Sequence, residues 1–127
     1  MKRVQVPTPP SFIHFPKEDT QTSAPIRFEK QVVHYPKHIA VQTPNYAITY
    51  ETLNQQANQL ARAIIDVIGR ETEPVGLLFD PGIFQITALI GSTKACKIWV
   101  PLDPTYPPAR TTTILQQSGA RLILTDH

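Results

Sequence analysis

The sequence predicts an α/β fold built on an incomplete parallel sheet with flanking helices and a short N-terminal β-hairpin. Three apolar runs of strand length, at residues 75–79, 97–100 and 121–125, alternate with two segments of helical periodicity. This alternation is typical of right-handed strand–helix–strand crossovers, which place parallel strands side by side. Three strands and a hairpin leave an apolar strand edge and one sheet face poorly covered, which indicates the beginning of a larger domain.

Composition separates an N-terminal tail from the part of the chain that is expected to fold. Residues 1–25 hold five of the 13 prolines, many Gln, Thr and Ser, and one bulky cluster at Phe12, Ile13 and Phe15. Such a segment buries too little apolar surface to offset the entropy lost on ordering. We therefore predict a disordered Pro-rich tail at residues 1–25 and a folded unit at residues 26–127.

A short helix and a hairpin open the predicted unit. Apolar residues from Ile26 to Val33 share one face of a helix that Pro36 must stop. In residues 39–43 and 46–50, β-branched or aromatic side chains alternate with Ala, Gln or Thr. Pro44-Asn45 lies between the two runs, and both residue types favour a tight turn. This pattern predicts a β-hairpin.

The clearest helical pattern follows the hairpin. Apolar residues recur at three- and four-residue steps from Leu53 to Ile68, with polar residues between them. We expect Thr49 to cap the start of this helix and Gly69 its end.

A buried strand and a second helix come next. Residues 75–79 form a continuous apolar run bounded by turn residues, as buried parallel strands do. A helix is predicted from Ile83 to about Ala95. Its inward residues are expected to be Ile83, Ile86, Ile90, and either Thr87 or Ala88.

The segment KIWVPLDPTYPPAR, residues 97–110, joins the second strand to a further helix. Its apolar side chains argue against a flexible linker. Pro101 and Pro104 fix the exit from the sheet, and Pro107-Pro108 suits a helix start, where missing N–H groups do no harm. A helix of about ten residues is predicted to follow and to end at Gly119.

Charge and composition exclude several classes of protein. Twelve basic and ten acidic residues are scattered along the chain without a basic run, so we expect no nucleic-acid partner. The apolar run of a signal peptide is missing after Met1, Lys2 and Arg3, and no segment approaches about 18 uninterrupted apolar residues. We therefore expect no membrane partner and a cytoplasmic location.

The cysteine and the histidines do not predict a metal site. Cys96 is the only cysteine, which excludes an internal disulfide and a multi-cysteine site. The histidines, His14, His34, His38 and His127, lack ligand spacing, whereas a zinc site needs about three converging protein ligands. We expect no bound metal in this chain.

Two segments are candidates for phosphate binding, and neither matches a phosphate loop. Gly91-Ser92-Thr93-Lys94 lies inside a helical pattern without the earlier glycine that a P-loop needs, which favours a small-residue helix surface packed on the sheet. Asp80-Pro81-Gly82 follows a strand but holds a single glycine, which favours a turn with Asp80 near a helix N-terminus. No cofactor-binding residue is assigned.

Three further residues carry reactive groups, and each has a structural explanation. Cys96 lies between a helix and an apolar strand, so we expect it to be buried as a small hydrophobe and not to act as a nucleophile. Asp103 lacks a matching second titrating group and is expected to accept hydrogen bonds from turn amides. Arg110 is expected to pair with Asp103 across the corner. No catalytic residue is assigned.

Two segments together resemble conserved motifs of a known family. Residues 48–54, ITYETLN, followed by residues 57–61, ANQLA, resemble the first core motif of adenylate-forming enzymes. Within that family they are most similar to the amino-acid adenylation domains of nonribosomal peptide synthetases. Lys94-Ala95 and residues 100–110, VPLDPTYPPAR, resemble the second core motif. The resemblance runs in order and at matching spacing over residues 26–127.

The resemblance implies the N-terminal portion of the fold of the AMP-dependent synthetase/ligase family. Complete members activate a carboxylic acid with ATP to an acyl-adenylate and pass the acyl group to a thiol, commonly the phosphopantetheine of a carrier protein. The family's phosphate loop, substrate pocket, ribose-binding aspartate and catalytic lysine are expected beyond position 127. ATP and Mg²⁺ are therefore implied for the complete domain, and this chain alone is expected to be inactive.

The resemblance also leaves room for other functions. A non-catalytic interaction module, or one half of a split synthetase, would dock through the open sheet edge onto the remainder of a synthetase or onto a carrier protein. A small independent nucleotide-binding domain would need a phosphate loop. Four residues depart from the family pattern: Cys96 replaces glycine, Lys97 and Ile98 replace small residues, and Ala109 replaces glutamate. The first three predict loose packing at the helix-to-strand junction.

Overall fold

The computed structural model describes residues 15–126, and it confirms the α/β fold and the predicted order of elements. The helices are α1 (Ala24–His34), α2 (Tyr50–Ile68), α3 (Ile83–Lys94) and α4 (Pro108–Ser118). The strands are β1 (Ile39–Gln42), β2 (Ala47–Thr49), β3 (Pro74–Leu78), β4 (Ile98–Leu102) and β5 (Leu122–Thr125).

The strands form two separate sheets among the described residues. β1 and β2 pair in antiparallel fashion, and the amide of Thr43 donates to the carbonyl of Tyr46 at 2.7 Å, which closes the predicted hairpin. β3 lies in the centre of a parallel sheet with the order β4-β3-β5. Val75 of β3 stands beside Trp99 on one neighbour and Leu122 on the other.

The ends of α2 follow the predicted capping chemistry. The hydroxyl of Thr49 accepts a hydrogen bond from the amide of Thr52 at 3.2 Å, which satisfies one of the free donors at the helix start. Gly69 ends the helix with φ of 79°, a conformation that costs glycine little. Both predicted caps are confirmed.

Small residues of α3 pack against α2 and cover β3. The buried face of α3 consists of Thr87, Ala88, Gly91 and Ser92. A Cβ atom on Gly91 would lie 3.1 Å from the carbonyl oxygen of Ala57, so the two helices approach too closely for a larger side chain. Of the residues predicted to face inward, Thr87 and Ala88 are buried, whereas the isoleucines are only partly buried. Gly91 packs on α2, and Ala88 packs on the core at β3.

Ordered structure begins before the predicted boundary at residue 26. A 3₁₀ helix at Lys17–Gln21 precedes α1. The carboxylate of Asp19 accepts a hydrogen bond from Lys30 at 3.0 Å and pairs with Arg27, and the Lys30 hydrogen bond in particular lowers the pKa of Asp19. These contacts attach residues 15–25 to α1 and correct that part of the predicted tail. The rest of the predicted tail, residues 1–14, lies outside the described residues.

The junction between α3 and β4 is a tight left-handed turn. Lys97 donates its amide to the carbonyl of Ser92 at 2.9 Å, and Cys96 donates its amide to Thr93 at 3.1 Å. This is the hydrogen-bond pattern of a Schellman motif, in which the residue at the position of Cys96 adopts a left-handed conformation and is usually glycine. Cys96 has φ of 57° and is exposed, so the prediction of a buried cysteine was wrong.

The buried side chain of Lys97 stabilises the same junction through hydrogen bonds. Its side chain is 0% exposed, and its ammonium group donates to the carbonyl oxygens of Gly69, at 2.8 Å, and Glu71. The carboxylate of Glu73 lies 3.8 Å away, and the other oxygen of that carboxylate binds Arg121 at 2.7 Å. Lys97 thereby joins the loop after α2 to the start of β4. The predicted loose packing is wrong for Lys97, whereas Cys96 and Ile98 are exposed.

The left-handed turn gives the first prediction. Substituting Cys96→Gly should raise the free energy of unfolding by about 1 kcal/mol, because a residue with a Cβ atom is strained at positive φ and glycine is not. Urea unfolding of the purified chain measures this difference. Cys96→Ala is the matched control, since it removes the thiol and keeps the Cβ atom. Equal stability of the glycine and alanine variants would contradict the explanation.

The buried ammonium group gives the second prediction. Lys97→Met keeps the side-chain length but leaves two carbonyl groups and the Glu73 carboxylate without their partner, which should cost about 3 kcal/mol of unfolding free energy. Arg121→Gln is the control, because it removes the other partner of Glu73 from a side chain that is 71% exposed. We expect that change to cost less than about 1 kcal/mol. Comparable losses of unfolding free energy in the two variants would contradict a special stabilising role of the buried Lys97 side chain.

Candidate functional site

The carboxyl ends of β3, β4 and β5 are the natural place to look for a site, because ligands of open parallel sheets bind outside that edge. Two grooves lie there. One, with a volume of about 440 Å³, runs between the ends of β3 and β4. The other, of about 590 Å³, lies between the hairpin tip, the start of α3 and the end of β5.

The proline-rich corner after β4 holds its polar groups in local contacts. The carboxylate of Asp103 accepts hydrogen bonds from the amide of Thr105 at 2.8 Å and from its hydroxyl at 2.7 Å, which confirms the expected turn. The hydroxyl hydrogen bond is the main cause that lowers the pKa of Asp103, followed by the amide hydrogen bond. A carboxylate stabilised in this way is a poor proton donor or acceptor near neutral pH.

Arg110 does not form the predicted ion pair with Asp103. Its guanidinium stacks over the ring of Tyr106, 4.3 Å from the centroid, and no salt bridge joins the two residues in the described chain. The charge of Arg110 still contributes a smaller part of the lowered pKa of Asp103. The carboxylate of Asp103 already accepts hydrogen bonds from Thr105. The planar guanidinium of Arg110 instead stacks on the nearby aromatic ring of Tyr106.

The helix after the corner begins and ends as the residues predict. Pro107 and Pro108 occupy the N-cap and first helical positions of α4, where a missing N–H group leaves no hydrogen bond unmade. Gly119 ends the helix in a left-handed conformation with φ of 71°. The segment at residues 97–110 therefore consists of a strand, a stiff corner and a helix start.

Gly91-Ser92-Thr93-Lys94 does not fit a phosphate group. Ser92 is fully buried, Gly91 contacts α2, and the ammonium group of Lys94 pairs with Glu29 of α1. A phosphate cradle needs successive backbone amides that point into an open loop, whereas these amides belong to α3. The residues instead join three helices.

Asp80-Pro81-Gly82 forms the turn before α3 and contributes to both grooves. Gly82 is the N-cap residue of α3 in an extended conformation, and no side chain caps the helix there. A single glycine in this turn provides no nest of amides for a nucleotide phosphate. The residues present do not fit the phosphate groups of ATP here either.

The described histidines make contacts within the fold. The Nδ1 atom of His34 lies 2.7 Å from the carbonyl oxygen of Lys30, and the ring of His38 stacks on Tyr35 at 5.0 Å. In residues 15–126 no group of three His, Cys, Asp or Glu residues is arranged to hold a metal ion. His14 and His127 lie outside the described residues.

The larger groove contains two aromatic side chains that sequence reasoning missed. Tyr46, at the hairpin tip, is 73% exposed, and Phe84, in the first turn of α3, is 65% exposed. Asp126, which directly follows β5, also lines this groove. An exposed aromatic residue at a turn gives no signal in hydrophobic periodicity, because such patterns report only the buried face of an element.

Within residues 15–126, no helix is both long and apolar enough to cross a bilayer.

Comparison with known proteins identifies the family. Residues 28–127 match the family model described as AMP-binding enzyme. Gramicidin S synthase 2 of Brevibacillus brevis is 39% identical over 98 residues, which cover 77% of this chain and 2% of that protein. Zwittermicin A synthase ZmaJ of Bacillus cereus is 38% identical over 99 residues, which cover 77% of this chain and 19% of that protein. The chain thus spans only a small part of each relative.

Solved structures show the same fold. The N-terminal subdomain of Klebsiella oxytoca NpsA superimposes with a TM-score of 0.75 at 20% identity, over 81% of this chain and 27% of that one. The nonribosomal peptide synthetase FmoA3 superimposes with a TM-score of 0.76 at 27% identity, over 80% of this chain and 11% of that one. The chain therefore belongs to the AMP-binding enzyme family and corresponds to the N-terminal part of a nonribosomal peptide synthetase adenylation domain.

Proposed function

We propose that this chain is the structural N-terminal part of a domain that activates an amino acid with ATP and transfers the aminoacyl group to a carrier thiol in the cytoplasm. The match of residues 28–127 to the AMP-binding enzyme family is the observation that carries the proposal. The chain alone forms no acyl-adenylate. ATP, Mg²⁺ and the phosphopantetheine carrier act on the complete domain.

The geometry of the described residues supports a scaffold role. The candidate polar groups are used within the fold: Asp103 holds the corner, Lys94 joins α3 to α1, and Lys97 joins the loop after α2 to β4. None of these groups faces a second reactive group across a cleft, as acid–base chemistry requires.

Solved relatives include a complex with a bound ligand and a fusion with a carrier domain. The N-terminal subdomain of NpsA has been crystallised in complex with 3-hydroxyanthranilyl-AMSN, and this chain spans 27% of that subdomain at a TM-score of 0.76. An adenylation–carrier fusion of NpsA with ThdA has also been solved. We assign ligand binding and carrier contact to the rest of the domain, because Asp103, Lys94 and Lys97 of this chain are engaged within the fold.

A domain exchange tests the function. Residues 28–127 would replace the matching segment of ZmaJ, with amino-acid-dependent exchange of pyrophosphate into ATP as the readout. We expect exchange with whichever amino acid the unmodified recipient activates in the same assay, because this segment supplies scaffold and not the specificity pocket.

Two controls complete this experiment. The isolated chain and the recipient without its matching segment should both remain at the level of a blank. Exchange by the isolated chain would refute its proposed inactivity. A chimera that unfolds cooperatively yet shows no exchange would refute the proposed function.

The corner at Asp103 gives a pH-dependent prediction. Its folded pKa lies below the ordinary value of 3.8, so its contribution to stability is fully present above pH 3.8 and is lost as the pH falls through the folded pKa. Asp103→Asn should therefore be less stable than the unmodified chain at pH 7, and the difference should shrink in acid. Urea unfolding at several pH values measures this.

Variants of Thr105, and Asp103→Asn in the chimera, test whether this corner has a structural or a catalytic role. Thr105→Val should flatten the pH dependence because it removes the hydroxyl donor, whereas Thr105→Ser should retain it. In the chimera, Asp103→Asn should lower pyrophosphate exchange by less than about tenfold, since a general acid or base contributes about 100-fold or more. A larger loss in a folded variant would make Asp103 a catalytic residue.

A further inference from the structure

The N-terminal segment of the chain contains a proline motif that the proposed function does not use. Residues 4–12 read VQVPTPPSF, with prolines at positions 7, 9 and 10. Pro7 and Pro10 have the P-x-x-P spacing of segments that bind aromatic-lined grooves. The polyproline II conformation has three residues per turn, so Pro7 and Pro10 lie on one face of it and Pro9 does not.

The larger groove offers the kind of surface that such a segment binds. Tyr46 and Phe84 are 73% and 65% exposed, and both line this groove. Its walls also include Pro44 and Pro81, whose rings restrict the backbone of the hairpin tip and of the turn before α3. A polyproline segment loses little conformational entropy on binding, because the free chain already favours that conformation. A segment that cannot build a core of its own can therefore still bind there.

The described fold brings the end of this segment toward the groove. The guanidinium of Arg27 lies over the ring of Phe15, 4.4 Å from its centroid. The next residue of α1, Phe28, packs on Tyr50 with ring centroids 6.2 Å apart. Tyr50 directly follows β2, whose residues line the groove. The chain from Pro7 to Phe15 spans up to about 26 Å when extended, so it can reach from α1 to the groove.

Charge favours the same arrangement. Lys2 and Arg3 make the beginning of the segment basic. Asp80 is exposed and lines the groove beside the turn that begins α3. Opposite charges attract the segment toward this wall, and added salt screens the attraction.

We propose that the N-terminal segment of this chain binds in its own larger groove, in the polyproline II conformation, with Pro7 and Pro10 against Tyr46 and Phe84. This interaction goes beyond the proposed function and does not depend on it. The chimera described above contains only residues 28–127 of this chain, so its pyrophosphate exchange does not involve the segment.

Nuclear Overhauser effects measured on the full chain test the contact. Ring protons of Pro7 should show cross-peaks to ring protons of Tyr46 or Phe84. Pro10→Ala removes one of the two docked rings and should abolish these cross-peaks. Pro9→Ala is the matched control, because it removes a neighbouring ring from a different face and should retain them. Their absence from the unmodified chain, or equal effects of the two substitutions, would overturn the proposal.

Variants of the groove test its aromatic side chains. Tyr46→Ser and Phe84→Ser change exposed positions and should leave the urea unfolding midpoint unchanged. Each should lower the heteronuclear Overhauser effect of the Thr8 amide toward that of a flexible chain. Tyr46→Phe keeps the ring and should retain the value. Val33→Ser is the matched control, since Val33 is 78% exposed and lies on α1, and an equal decrease there would contradict a specific groove.

A mixture of isotope-labelled and unlabelled chains distinguishes the chain's own segment from that of a second copy. Cross-peaks within one chain that persist on dilution, with a monomer in sedimentation, would support the proposal. Cross-peaks between labelled and unlabelled chains, with a dimer in sedimentation, would assign the groove to a neighbouring copy and overturn it.

Discussion

The close approach of α3 to α2 at Gly91 is the constraint on which the rest of the structure depends. With the carbonyl oxygen of Ala57 only 3.1 Å from where a Cβ atom would stand, the two helices form one tight layer. That layer buries Val75 and Leu77 of β3 together with Phe79, which directly follows the strand, and β3 lies at the centre of the sheet. The position of α3 then determines where the chain must reverse to enter β4, which requires the left-handed turn at Cys96.

Local patterns were sufficient to predict the elements of this fold. Thr49 and Gly69 bound α2 because a hydroxyl can accept from the first free amides and glycine tolerates positive φ. Pro44-Asn45 separates two short strands for equally local reasons. In each case the residues that decide the structure lie within a few positions of one another, so the sequence alone contains the relevant interaction.

The features that escaped prediction depend on residues distant in sequence. Lys97 binds carbonyl groups 26 and 28 residues earlier in the chain, and periodicity carries no information about such a partner. Arg110 had two possible neighbours, and only the folded corner shows that Tyr106 is the one it contacts. The larger groove was equally unpredictable, because its walls come from the hairpin, α3 and the end of β5.

The distribution of polar and apolar groups supports the proposed scaffold role of this chain. Lys97 donates to backbone carbonyl groups inside the fold, and Asp103 accepts hydrogen bonds at the corner. Exposed aromatic side chains remain at Tyr46 and Phe84 in the larger groove. Apolar and aromatic side chains lack the positive charge or nest of amides that an anion requires, so these two residues do not suit the phosphate groups of ATP. Lys97 and Asp103 thus serve the stability of this part of the fold, as its helices and β3 do.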